Sequence, residues 1–312
     1  MTKEIYNDNF YGMGTRLGFV FPGCSSSKGG GVSSLIKEEI ERLESKISRF
    51  KSGSAVSFIN KTACKKPVAV EPELWDVIND SISYSKKTFG AFDITLRAVA
   101  AFWNGNSVND DKSDEFQNKL DLILNSVGMN KIVLDEKECS VFFSSPNVEL
   151  DFGAIGKGLA LKSIDGILMQ NEIKNAFISF GESSILAMGN HPGGNSWRIG
   201  IPNIFGCEKY AYSFEINDCS VSTSGNTINN SIPGRVNIIN PFTGYPVKEF
   251  RTIVASDKNP ILAEVLSTAF MVLNDEQIIE VLSNFPSAKC VKIEYNEEHR
   301  SLVTDYSNYN VN

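Results

Sequence analysis

The chain has 312 residues, of which 42% are hydrophobic and 21% are charged, a composition typical of a soluble globular protein with a sizeable core. Its formal net charge of -7 and its pI of about 5.1 argue against nucleic-acid binding as the main function, which usually requires a basic face. Neither value excludes a local basic site for an anionic ligand.

The cysteines and the amino terminus set further limits. The six cysteines lie far apart without a CxxC pair, and the chain has only two histidines, so we expect reduced thiols and no zinc site. No apolar run approaches the ~20 residues that span a bilayer, and the polar residues 1–10 do not resemble a signal peptide. The sequence predicts a cytoplasmic protein, or an exported or membrane-anchored one if a leader has been removed.

Helical patterns dominate the amino-terminal part of the chain. Residues 33–47 predict a helix with an apolar face made of Leu35, Ile36, Ile40, Leu43 and Ile47. A second predicted helix starts near Pro72 and stops at Gly90, and a third covers residues 113–128.

Strands and helices then mix along the rest of the chain. Strands are predicted at residues 131–134, 140–143, 148–150, 176–180, 197–201, 212–216, 236–239 and 290–295. Helices are predicted up to residue 169, at 259–273 and at 275–285. Because the alternation is not a regular βαβ pattern, we predict an α+β fold, arranged as a single two-lobed domain over residues 1–312.

A glycine-rich run, DFGAIGKGLA at residues 151–160, stands between a predicted strand and a helix. Its spacing does not fit a Walker loop, because Gly158 follows Lys157 where a Ser or Thr should stand, and GxGxxG is absent. From the run alone, phosphate binding and a purely structural turn are both possible interpretations.

Several polar residues could form a site. Glu264 and Thr268 are four residues apart and share a helix face, and their oxygens suit a hard cation such as Mg²⁺. The alternative is a solvated glutamate and a threonine bonded to its own helix. Asp93 could be an N-cap, and residues 222–227 and 240–247 are polar turn-rich segments. A histidine-based triad is not supported, since neither histidine lies near a nucleophile elbow.

Taken together and in this order, nine segments resemble the ApbE family of flavin transferases, the FAD:protein FMN transferases. They are YGMGTRL, ISRFKSGSAVSFIN, FGAFDITLRAVAAFW, VELDFGAIGKGLALKSIDGIL, FISFGESSILAMG, WRIGI, SVSTSGN, VNIINPFTGYPV and AEVLSTAFMVL. The resemblance covers most of the chain and implies an α+β fold with one two-lobed ApbE-like flavin transferase domain.

The resemblance also implies an activity and a set of site residues. Such enzymes bind FAD with Mg²⁺ and attach FMN to a threonine or serine of a partner flavoprotein, releasing AMP. The implied FAD contacts are Met13, Phe50, Ala91, Phe92, Asp93, Lys157, Ser163 and Ile238. The implied metal ligands are the carbonyl of Ala160 and the side chains of Glu264 and Thr268, with Ser267 as a further candidate.

The chain departs from the family pattern at several positions. Asn237 stands where the family commonly has a catalytic histidine, and Glu264 replaces the usual aspartate. Asn240 stands in place of a frequent aspartate, and Glu182-Ser183 replaces a common Gly-Gly pair. These departures leave two alternatives to transfer: an FAD-binding paralogue with little turnover, and an FAD pyrophosphatase that yields FMN and AMP.

Overall fold

A computed structural model describes residues 4–104, 113–207, 209–226 and 238–308. The helices in these ranges are α1 (Ser26–Ile47), α2 (Ala55–Thr62), α3 (Pro72–Lys87), α4 (Arg97–Asn104), α5 (Asp114–Ser126), α6 (Gly156–Gln170), α7 (Pro260–Ala269) and α8 (Asp275–Ser283). In the described part of the chain, no helix is long and apolar enough to cross a membrane.

The strands are β1 (Ile5–Gly12), β2 (Thr15–Pro22), β3 (Val68–Ala69), β4 (Ile132–Asp135), β5 (Ser140–Phe143), β6 (Ala176–Phe180), β7 (Ser184–Met188), β8 (Trp197–Ile201), β9 (Tyr212–Ile216), β10 (Cys219–Gly225), β11 (Arg251–Asp257), β12 (Lys289–Tyr295) and β13 (Ser301–Asp305). Eight of them form one antiparallel sheet in the order β1-β2-β6-β7-β10-β11-β12-β13. β3, β5 and β4 form a small sheet, and β8 and β9 a hairpin. Antiparallel sheets with separate helices confirm the predicted α+β class.

Helix α7 is the central helix of the fold, and its sequence explains why. Asn259 caps its first turn by accepting a hydrogen bond from Ile261 N, and Pro260 occupies its first position. Apart from Thr268, its residues are buried, so the helix has no solvated face and must lie inside the protein. It packs against β10 and β11 on one side and against α6 on another.

The approach of α6 to α7 depends on Gly158. A Cβ atom at this position would lie 2.8 Å from the carbonyl oxygen of Pro260 and 2.9 Å from Glu264 Cγ. Gly158 in the glycine-rich run is therefore required by helix packing, because any side chain there would push the two helices apart.

Some predicted boundaries are wrong. Helix α1 begins at Ser26, capped by Ser25, and Leu35 is 43% exposed rather than on the buried face. Residues 148–150 form no strand but only a bridge between Glu149 and Leu96, because the chain turns into a 3-10 helix at Phe152. The helix predicted over residues 259–273 ends at Ala269.

The strand predicted at residues 236–239 lies partly outside the described residues. Within them, Ile238 is not in a strand, and Ile239 forms an isolated bridge to Pro246.

Candidate functional site

A cleft of about 300 Å³ opens where α7, the start of α6, the end of β10 and the segment before α4 meet. Its lining contains charged and hydroxyl side chains together with apolar ones. The lining residues are Ala91, Asp93, Ile94, Leu96, Arg97, Ala100, Asp151, Gly153, Ala154, Lys157, Ser222, Thr223, Ser224, Ile238, Ile239, Glu264 and Thr268.

Helix α7 contributes Glu264 and Thr268, which both face the cleft as the four-residue spacing predicts. Glu264 is only 3% exposed, so the alternative of a solvated glutamate is wrong. Its Oε1 accepts hydrogen bonds from the hydroxyls of Ser184 and Ser222, the second at 3.1 Å, and its Oε2 lies 3.2 Å from Lys157 Nζ. The carboxylate is therefore buried and held from two sides.

Ser267 lies behind this carboxylate rather than in the cleft. It is 1% exposed, and its hydroxyl is 2.9 Å from that of Ser222 and 3.0 Å from that of Ser224. Its Oγ also donates to the carbonyl of Glu264 at 3.1 Å. These contacts make Ser267 a support for Glu264 and do not bring it to the cleft surface.

The glycine-rich run forms one wall of the cleft through Asp151, Gly153, Ala154 and Lys157. The carboxylate of Asp151 accepts a hydrogen bond from Gly153 N at 3.0 Å and forms an ion pair with Arg49 Nε at 2.8 Å. The side chain of Asp151 therefore fixes the tight turn of the glycine-rich run that forms this wall.

Ala160 does not reach the cleft. Its side chain is completely buried in the core cluster that α6 forms with α1 and strands β2 and β6. Position 160 lies inside α6, where a carbonyl normally accepts the N–H four residues ahead, so we expect its carbonyl to be used within the helix. Ala154, which the sequence reasoning missed, lies at the cleft wall instead.

The segment before α4 contributes Ala91 and Asp93, while Phe92 is completely buried in the core. Asp93 Oδ1 accepts from both the N–H and the hydroxyl of Thr95, each at 2.6 Å. Because α4 begins only at Arg97, Asp93 is not its N-cap, contrary to the sequence interpretation. Burial raises the pKa of the Asp93 carboxyl, although the bonds from Thr95 act in the opposite direction.

Met13 and Phe50 do not line the cleft. Met13 lies in the turn between β1 and β2 with φ 50°, and its Cε would be 3.2 Å from a Cβ at Gly156 in the first turn of α6. Phe50 is 79% exposed, and the guanidinium carbon of Arg49 lies 3.9 Å from its ring centroid. Arg49 also binds Asp151, so Phe50 is joined to the cleft wall through that arginine.

The remaining predicted site residues, Ile238, Asn237 and Ser163, do not all lie at the same cleft. Ile238 lines the cleft, and Asn237 lies outside the described residues. Ser163 lines a second cleft of about 350 Å³ between α1, α3 and α6. The structure therefore brings Ala91, Asp93, Lys157, Ile238, Glu264 and Thr268 together but not Ser163.

The charges of the cleft leave room for an added cation. Three carboxylates (Asp93, Asp151 and Glu264) and two basic side chains (Arg97 and Lys157) line it among the described residues. In the same residues no group of three or more His, Cys, Asp or Glu could hold a metal ion. A carboxylate such as that of Glu264 together with neutral oxygen ligands suits Mg²⁺ better than zinc.

The sequence reasoning missed the cleft residues Arg97, Asp151 and Ala154 and the support by Ser184. Asp151 opens the glycine-rich run, so its position beside Lys157 was a usable signal. Ser184 carried no such signal, because its role depends on the pairing of two strands distant in sequence. Ser222 and Ser224 fall in the polar segment of residues 222–227, and polar loops on a strand scaffold are places where sites are often built.

Comparison with known sequences shows that the chain is similar to one family of proteins. The model of the ApbE family matches residues 13–291. The FAD:protein FMN transferase of Haemophilus influenzae is 26% identical over 257 residues, covering 78% of this chain and 74% of that protein. The protein of the same name from Treponema pallidum is 26% identical over 272 residues, covering 81% and 74%.

Solved structures share the fold. The flavin transferase ApbE from Vibrio cholerae superposes with a TM-score of 0.82 at 21% identity, covering 97% of each chain. The flavinyl transferase ApbE from Pseudomonas stutzeri, in its apo form, gives a TM-score of 0.80 at 19% identity, covering 98% of this chain and 96% of that one.

Proposed function

The chain belongs to the ApbE family and is a transferase, and from that premise we propose that it is a magnesium-dependent FAD:protein FMN transferase. The acceptor is a threonine or serine hydroxyl of a partner flavoprotein, and AMP is the other product. The covalent product is a flavinylated partner.

One observation carries this proposal: the buried carboxylate of Glu264 and the hydroxyl of Thr268 share a cleft with Lys157 and Arg97. A diphosphate carries negative charge and binds where positive charge can be concentrated. Among the described residues, two basic side chains against three carboxylates do not provide that surplus, whereas a divalent cation on Glu264 does.

The residues present fit a magnesium ion. Glu264 and Thr268 supply a carboxylate and a hydroxyl oxygen, and Ala154, whose carbonyl could be a third ligand, lines the same cleft. The hydrogen bonds of that turn run from Ile155 N to Phe152 O and from Leu159 N to Ile155 O, and neither involves the Ala154 carbonyl. Mg²⁺ keeps several waters, so three protein oxygens are sufficient. When bound, it supplies charge neutralisation at the diphosphate.

The chemistry is a phosphoryl transfer. The acceptor hydroxyl oxygen forms a bond to the phosphorus of the FMN half, the diphosphate bond breaks, and AMP leaves with the bridging oxygen. The proton of the hydroxyl passes to solvent water, and AMP carries the electron pair of the broken bond. Lys157 and Arg97 bind and orient the phosphates, which is the main contribution that a protein makes to this class of reaction.

The test is to incubate the protein with FAD, Mg²⁺ and an acceptor domain that carries a target threonine, and to follow FMN, AMP and acceptor mass. AMP together with an acceptor that gains one FMN group supports the proposal. Free FMN and AMP with an unchanged acceptor identify a pyrophosphatase. Protein-bound FAD that remains intact identifies a binding paralogue.

A further inference from the structure

The two oxygens of Glu264 have different kinds of partners. Oε1 accepts from Ser184, which is completely buried, and from Ser222, which is 3% exposed. Oε2 pairs with Lys157, whose side chain is 24% exposed at the cleft surface. One oxygen is therefore held from inside the protein, and the other faces the cleft.

The partners of Oε1, Ser184 and Ser222, are neutral side chains held in place by the sheet. Ser184 and Ser222 stand opposite each other in the pairing of β7 with β10, so both side chains leave the sheet on the same face, toward Glu264. Ser222 is fixed in turn by its contact with Ser267. Rebuilding this arrangement would require moving the central sheet.

The partner of Oε2, Lys157, has a side chain that can change its partner. Lys157 lies in the first turn of α6, at the positive end of the helix dipole, where a cation is unfavourable without an anionic partner. Its ammonium is a compact charge on a flexible four-carbon stem, so it can exchange one anionic partner for another without any backbone change. Glu264 is the anion that it pairs with in this structure, at 3.2 Å.

We propose that Lys157 is an exchangeable counter-ion of Glu264. It neutralises the buried carboxylate while the site holds no metal, and it gives up Oε2 to the divalent cation when metal and FAD bind. Ser184 and Ser222 hold Oε1 in both states. The inference rests on the proposed function, since it assumes a metal at Glu264 and a diphosphate beside it.

The exchange of Lys157 between Glu264 and the diphosphate makes the binding of Mg²⁺ and the binding of FAD cooperative. In the absence of FAD, the metal must displace Lys157, so its affinity is reduced. A bound diphosphate offers the ammonium another anion and thereby frees Oε2, and the coupling must be reciprocal, so the metal also strengthens FAD binding. Lys157 is thus a positioning residue for the metal as well as a contact of the phosphates.

The experiment measures Mg²⁺ affinity by calorimetry and FAD affinity by flavin fluorescence for the wild type, Lys157→Met and Lys162→Met. Lys162 is the matched control, because it lies on the same helix but faces the second cleft. We expect Lys157→Met to bind Mg²⁺ about tenfold more tightly than the wild type without FAD, and to lose most of the enhancement by FAD. It should bind FAD more weakly in the absence of metal, and Lys162→Met should match the wild type.

An Mg²⁺ affinity of Lys157→Met that is equal to or weaker than that of the wild type overturns the exchange, even if the wild type transfers FMN normally. Conversely, tighter Mg²⁺ binding by Lys157→Met supports the exchange even if the wild type only hydrolyses FAD. The two results separate failure of this inference from failure of the proposed transfer. Ser222→Ala should weaken Mg²⁺ binding both with and without FAD.

Discussion

At the residue scale, Glu264 is the position on which the metal assignment depends. Glu264→Ala should abolish metal-dependent turnover, a loss of about 100-fold or more, because no other carboxylate lies on this face of α7. Glu264→Gln keeps an oxygen for Ser184 and Ser222 and should be folded but equally inactive. The matched control is Glu280→Ala on exposed α8 surface, and rates with and without Mg²⁺ are the measurement. Full activity of Glu264→Ala would show that Glu264 does not bind the metal.

Asp93 is a residue whose burial costs stability. Its pKa is raised, so the folded protein binds this proton more tightly than the unfolded chain does, and stability falls as the pH rises from 3.8 through the raised value. Asp93→Asn can still accept from Thr95 and removes the buried charge. We expect its Tm at pH 7 to rise by about 2 °C, while the gain disappears at low pH.

The control for Asp93→Asn is Asp80→Asn, which changes an exposed aspartate on α3 and should leave Tm unchanged. Thermal unfolding followed by circular dichroism at pH 7 and pH 4 separates the two cases. A drop in Tm for Asp93→Asn at pH 7 would mean that the carboxylate stabilises the fold, contrary to this account.

Asn237 lies outside the described residues, and its role is argued from the family resemblance alone. An asparagine cannot accept a proton near neutral pH, whereas the histidine common at this position can. If that position is the base, Asn237→His should raise the transfer rate about tenfold or more near pH 7. An unchanged initial rate of AMP release at saturating FAD would show that the position does not limit the reaction.

At the scale of elements, the contact of α6 with α7 positions the site, and Gly158 is its most constrained point. Gly158→Ala would place a Cβ 2.8–2.9 Å from Pro260 O and Glu264 Cγ, and relieving the clash should cost about 1–3 kcal/mol of unfolding free energy. Gly166→Ala is the control in the same helix, because nothing lies within 4 Å of its Cβ. It should stabilise the protein by about 0.5–1 kcal/mol.

Urea unfolding of the two alanine variants tests the helix contact, and the Mg²⁺ affinity of Gly158→Ala tests its effect on the site. We expect weaker metal binding by Gly158→Ala, because the clash displaces Lys157 relative to Glu264. If Gly158→Ala is as stable as the wild type, α6 and α7 do not pack as closely as described.

Elements could be predicted from sequence where the pattern is local. The strands at residues 140–143, 176–180, 197–201 and 212–216 have the predicted bounds, because alternation and flanking turns decided them. Residues 222–227 have the composition of a polar turn-rich segment, since serine is common in turns, and only pairing with β7 and β11 makes residues 222–225 part of strand β10. The start of α1 was placed seven positions late because its first turns contain three glycines.

The site was predictable to a similar degree and for similar reasons. Glu264 and Thr268 follow from helix periodicity, and Lys157 and Asp93 from motifs that resemble the family. Ala154 rather than Ala160 lines the cleft, and choosing between these positions requires knowing where the 3-10 turn ends and α6 begins. The serines around Glu264 depend on strand register and could not be read from local sequence.

At the scale of the whole molecule, the described residues place the cleft where α7, α6 and β10 meet, and the single two-lobed domain over residues 1–312 stays a prediction. The net charge of -7 means that an anionic ligand must be drawn in locally rather than by the field of the whole protein. Transfer should therefore depend steeply on Mg²⁺.

The most direct measurement of this account is the intact mass of a threonine-bearing acceptor domain after incubation with the protein and FAD, with Mg²⁺ and with EDTA. The account predicts the gain of one FMN group with Mg²⁺, one AMP released for each modified acceptor, and no gain with EDTA or when the target threonine is replaced by valine. An acceptor of unchanged mass in the presence of Mg²⁺, or an equal gain in EDTA, would contradict it.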